Sequence, residues 1–223
     1  VELPEWMDNL RVKFLDQNVG YVAGRAGFRG NTSLKVYKTV DGGKTWKRSF
    51  RTREMDTPWD IVAVDEEIVM LTGGGGWMWR TGDGGKTWKA ILNKDYHRVM
   101  AISRSPDGKF WLFGKNSIRI SNDLGVTWQK AESVPESIGG HEWAAVDFTK
   151  DGLGVAVSED AAIAFTRDSG RSWRKVTSNL HFQEKIRVPN NPFDEALRGI
   201  RLSGNRGIIN GSQRDYFITI ADQ

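Results

Sequence analysis

The chain has 223 residues, 39% hydrophobic and 27% charged, with a net charge of +4, a pI near 9.3 and no cysteine. That balance describes a folded chain with a core, and the missing cysteines exclude disulfides, cysteine nucleophiles and thiolate metal sites. No run approaches about 18 apolar residues, "VELPEWMDNL" at the start lacks a signal-peptide pattern, and Lys and Arg are too scattered for a nucleic-acid binder.

Short β-branched or aromatic runs bounded by Gly, Asp or Asn read as strands. In chain order the first set is "RVKFLD" (11–16), "VGYVAG" (19–24) and "LKVYKT" (34–39). The second is "DIVAVD" (60–65), "EIVMLTG" (67–73) and "WMWRT" (77–81). The third is "RVMAIS" (98–103), "FWLFG" (110–114) and "SIRIS" (117–121). The fourth is "WAAVDF" (143–148), "LGVAVS" (153–158) and "AIAFT" (162–166). The last is "RGIRLSG" (198–204), "GIINGS" (207–212) and "YFITIAD" (216–222).

Each of the first four sets runs into the same turn: "TVDGGKTW" (39–46), "TGDGGKTW" (81–88), "SNDLGVTW" (121–128) and "TRDSGRSW" (166–173). Its acidic residues, Asp41, Asp83, Asp123 and Asp168, are 42, 40 and 45 residues apart. Repeats at such a period mark stacked supersecondary units. The Asp is expected to accept bonds from backbone amides two or three residues on, and the Gly to take positive φ. Trp46, Trp88, Trp128 and Trp173 are expected to anchor each turn in the core. These are structural turns rather than sites.

The motif resembles the Asp-box, or BNR repeat, of sialidases, sortilin-type receptors and the Ycf48/HCF136-type photosystem II assembly factors. The resemblance implies an all-β β-propeller, with each box joining the third and fourth strands of a blade, and the five strand sets count five blades. The blades are expected at about 8–52, 58–93, 97–132, 142–177 and 197–223, in one domain covering 1–223. The last set has no box, so residues 1–5 are expected to supply its outer strand.

On a propeller the loops opposite the boxes are the default binding face. The candidates there are Arg25, Arg29, Trp77, His97, Arg98, His141, Trp143, Arg187 and Arg198. The histidines lack close metal-ligand spacing, so neither a metal nor a cofactor is expected. No sialidase residue transfers: the nearest arginine segment, "KIRVPNN", lies at 185–191, late in the chain.

The resemblance implies a non-catalytic scaffold outside the cytoplasm (periplasmic, secreted or lumenal), with a protein partner such as a membrane-protein client. The chain itself is not expected to be membrane-embedded. The alternative is a carbohydrate-binding or glycoside-hydrolase-like propeller using the paired carboxylates Asp60 and Glu142.

Overall fold

The computed structural model describes residues 2–28, 30–54, 57–92, 99–115, 117–132, 134, 138, 140–176, 197–211 and 215–219. Among these, antiparallel strands form five sheets. The first holds β1 (Asp8–Phe14), β2 (Gly20–Phe28), β3 (Asn31–Thr39) and β4 (Lys47–Thr52). The second holds β5 (Pro58–Ala63), β6 (Val69–Gly73), β7 (Trp77–Thr81) and β8 (Lys89–Leu92). The third holds β9 (Val99–Arg104), β10 (Phe110–Gly114), β11 (Ser117–Ser121) and β12 (Gln129–Lys130). The fourth holds β13 (Trp143–Phe148), β14 (Gly154–Ser158), β15 (Ile163–Thr166) and β16 (Arg174–Lys175). The fifth holds β17 (Leu197–Ser203), β18 (Arg206–Gly211) and β19 (Asp215–Thr219).

Strand order follows chain order in every sheet, so neighbouring strands within a sheet are consecutive in the chain. The second strands β6, β10 and β14 are buried at every residue, which is why they read as unbroken apolar runs. The fifth sheet has three strands among the described residues, and the expected outer strand from residues 1–5 is not one of them. Leu3 instead packs with Met7, Val22, Ala26 and Tyr37, and Glu5 bonds Lys35 and Tyr37 on β3.

The chain divides into two compact units, 1–100 with 124–127, and 101–123 with 128–223. In the first unit Tyr21, Ala23, Leu34 and Val36 meet Ile61, Val69 and Leu71, with Trp77, Trp79 and Trp88 against them. In the second, Trp111, Phe113, Phe148 and Trp173 form an aromatic cluster with ring centroids 5.3–6.4 Å apart. Edge-to-face rings at such distances add to their burial.

Candidate functional site

The boxes share one hydrogen-bond pattern. In the first, the Thr39 hydroxyl donates to Asp41 Oδ1 (2.8 Å) and accepts from the Gly43 amide (2.9 Å). The Thr45 amide donates to Asp41 Oδ1 (2.9 Å) and its hydroxyl to Oδ2 (2.6 Å). Thr81, Asp83 and Thr87 repeat this, as do Thr166, Asp168 and Ser172. The acceptor bond from Asp therefore spans four residues, not two or three. The shorter span occurs at the preceding turn, where Asp16 takes the Asn18 and Val19 amides and Asp65 those of Glu67 and Ile68.

Two successive residues of each box have positive φ: Gly42 and Gly43, Gly84 and Gly85, Leu124 and Gly125, Ser169 and Gly170. Glycine is favoured at such positions, and it fills both in the first two boxes and the second in the other two. The turn also binds its own sheet, since Gly42, Gly84 and Ser169 amides donate to Asn18, Glu67 and Gly152 carbonyls.

The bonds fix the charge of the box. The Thr45 hydroxyl and amide, with the Thr39 hydroxyl, pull Asp41 down to about 2. Thr87 likewise holds Asp83 far below the usual carboxylate range. A depressed folded-state value adds stability above the unfolded value of 3.8, and that stability disappears as pH falls from there toward about 2. The melting temperature of the wild type should therefore drop over this window. Asp41→Asn should melt lower at neutral pH and show a smaller acid drop. Equal acid drops, read by calorimetry, would remove the box from the account.

The structure sorts the candidates. Arg25 is ion-paired with Asp8 at 2.8 and 2.6 Å, and its side chain is partly exposed. Trp143 is buried, with its Nε1 donating to the Ile138 carbonyl (2.9 Å) and its ring edge-on to Phe113. It is a core residue, not a binding-loop aromatic. Trp77 is half-buried and stacks on Trp79 at 5.9 Å. His141 Nδ1 meets Asp160 Oδ2 at 2.5 Å, and Lys175 Nζ donates to its Nε2 at 3.0 Å. Arg198 is exposed on β17. Arg29, His97, Arg98 and Arg187 lie outside the described residues.

Of the two carboxylates, Asp60 accepts the Ile61 amide (2.8 Å) in the first unit. Glu142 pairs with Lys115 in the second. Among the described residues, no group of three acidic or histidine side chains has the geometry of a metal site. No helix among them is long and apolar enough to cross a membrane.

Sequence reading missed two contacts. Lys38 Nζ donates to the Gly84 carbonyl (2.9 Å) and Arg80 Nε to the Leu124 carbonyl (2.8 Å). Each cation immediately precedes one box and grips the next. That register was visible in "YKT" and "WRT", but the partner is a backbone atom and leaves no sequence mark. Lys38→Met should cost about 1–2 kcal/mol in a denaturant titration, since it strips a charged donor from a carbonyl. A change below about 0.3 kcal/mol would show that water replaces the bond.

Antiparallel sheets, four of them with an Asp-box turn between their third and fourth strands, define the class: this is a BNR-repeat β-propeller. The family model described as "Photosynthesis system II assembly factor YCF48" matches residues 9–115. The Photosystem II assembly lipoprotein Ycf48 of Prochlorococcus marinus is 22% identical over 155 residues, covering 65% of this chain and 43% of that protein. The chain thus spans less than half the length of this curated relative. A GH74 enzyme of Niastella koreensis superposes with a TM-score of 0.66 at 16% identity, covering 91% of this chain and 33% of that one. A chain of a structure titled "YCF48 bound to D1 peptide" aligns over 100% of this chain and 96% of its own, with 14% identity and a TM-score of 0.42. The chain has a BNR-repeat propeller fold and is similar to the Ycf48-type assembly factors over residues 9–115, just under half of its length.

Proposed function

We propose that this chain is a non-catalytic assembly factor that binds a membrane-protein client outside the cytoplasm, through loops opposite the Asp-boxes. The observation that carries this reading is the match of residues 9–115 to a photosystem II assembly-factor family. The curated relative is an assembly lipoprotein. Glu142 pairs with Lys115, and Asp60 accepts the amide of its neighbour Ile61.

The exposed Arg198, with Arg29 and Arg98, is assigned to the client. The test is capture of membrane proteins from detergent-solubilised native membranes by the wild type and by a variant with Arg29→Glu, Arg98→Glu and Arg198→Glu. A membrane protein held by the wild type and lost by the variant, at equal melting temperature, is the expected result. Equal capture by both would remove these arginines from the interface. Capture of no membrane protein would end the assembly-factor reading.

A further inference from the structure

The fourth sheet packs on both of its faces. Val146, Ala156 and Ala164 lie against Trp111 and Phe113 of the third sheet. Val155, Val157 and Ile163 lie against Ile200, Ile209, Tyr216 and Ile218 of the fifth. A shared register relates the first, fourth and fifth sheets. Near the start of the second strand, a glycine pairs with a large side chain of the first strand: Gly20 with Phe14, Gly154 with Phe148 and Gly207 with Leu202. A Cβ on any of these glycines would lie 2.5–2.8 Å from that side chain, so the three rungs are equivalent.

Successive rungs from that glycine face opposite sides of the sheet. The first is Asp147–Val155–Phe165 in the fourth sheet and Arg201–Ile208–Phe217 in the fifth. In the fourth sheet this row receives the fifth, and Val155 is buried. In the fifth sheet the same row is open. Ile208 is 39% exposed and Phe217, directly opposite it on β19, is 63% exposed.

The second rung is the one that seats a sheet on its predecessor. In the fifth sheet it is Ile200–Ile209–Tyr216, packed on the fourth. In the first sheet it is Val12–Val22–Tyr37, two aliphatic residues and a tyrosine in the same order. Leu3 and Met7 pack with Val22 and Tyr37 over β2 and β3. On β1, Val12 stays 55% exposed, and Phe14 beside it 40%. The first sheet therefore carries a seating row whose β1 end is open, and the fifth carries an open receiving row.

We propose that these two faces join copies of this chain head to tail: β1 of one copy, with Val12 and Phe14, seats on Ile208 and Phe217 of another, as β17 seats on the fourth sheet. The contact continues a seam the fold already makes. In that seam β17 lies over β13 and β14, and β1 is the strand of the first sheet that matches β17. It is also the strand that Leu3 and Met7 leave uncovered. A second copy is favoured over an unrelated protein because the chain itself supplies the row that fits. Apolar side chains clustered on an exposed face mark an interaction site. The two faces differ, so the contact is heterologous: each pair keeps one open face at either end and can add further copies. This contact is independent of which client the loops bind.

The test is sedimentation equilibrium of the purified chain over a rising concentration series, with no client present. The wild type should pass from the monomer mass of 25.1 kDa to that of two or more copies. Ile208→Asp, Phe217→Ser and Val12→Asp should each weaken association about tenfold or more, with melting temperatures near the wild type because all three side chains are exposed. Val40→Asp alters another exposed apolar side chain, in the first box turn, and should associate like the wild type. Ile208→Asp mixed with Val12→Asp should form pairs and stop there, because the mixture retains one intact seam per pair. The proposal is overturned if the wild type stays monomeric throughout, or if Ile208→Asp and Phe217→Ser both associate like the wild type. It is also overturned if the mixture associates no better than either variant alone, since the contact would then not run head to tail.

Discussion

Gly170→Ala should lower stability by about 3 kcal/mol or more, because two penalties add. The residue has a φ of +91°, where a side chain is strained. The new Cβ would also lie 2.2 Å from Trp111 Cζ2 and 2.5 Å from Cε2. Trp111 has little room to give. It is buried, its Nε1 donates to Ser105 Oγ (3.2 Å), and Phe113, Phe148 and Trp173 surround its ring. The same change in the third box, Gly125→Ala, meets Met70 Sδ at 2.1 Å. Methionine is flexible, so that variant should lose roughly half as much. Ser169→Gly tests the opposite sign. Ser169 has a φ of 60°, and glycine there relieves strain. It should be neutral or slightly stabilising. Urea midpoints of the three variants decide the matter. If Gly170→Ala lies within about 0.5 kcal/mol of the wild type, the box glycine has no packing role.

Trp143→Ala should cost about 3–5 kcal/mol, the usual range for emptying a buried tryptophan site. Trp143→Phe keeps most of the ring contacts but leaves the Ile138 carbonyl without its donor, at about 1–3 kcal/mol. Client capture measured well below each variant's melting temperature should match the wild type. A variant of native stability that failed to bind would return Trp143 to the binding surface.

The repeat was legible because its information is local. Asp, Gly, Thr or Ser, and Trp at fixed spacing close a turn whose bonds lie within about five residues, so residue types alone report it. The strands were legible for a related reason. β6, β10 and β14 are buried on both faces, and continuous apolar runs mark such strands. Spacing revealed the number of turns but not their second role, in which Gly85, Gly125 and Gly170 fit closely against Ser49, Met70 and Trp111.

The side chains misread from sequence are those whose surroundings come from distant segments. Arg25 and Trp143 looked like loop residues available to a partner. Asp8, 17 residues before Arg25, neutralises the first, and Phe113, 30 residues before Trp143, covers the second. Sequence left no mark of the contacts of residues 3 and 5, where Leu3 packs with Met7, Val22, Ala26 and Tyr37 and Glu5 bonds Lys35 and Tyr37. Residue types set the turns and strands, because those bonds are short-range. Which polar groups are satisfied and which aromatics are left exposed, as Phe28 and Trp6 are, depends on what folding brings opposite them.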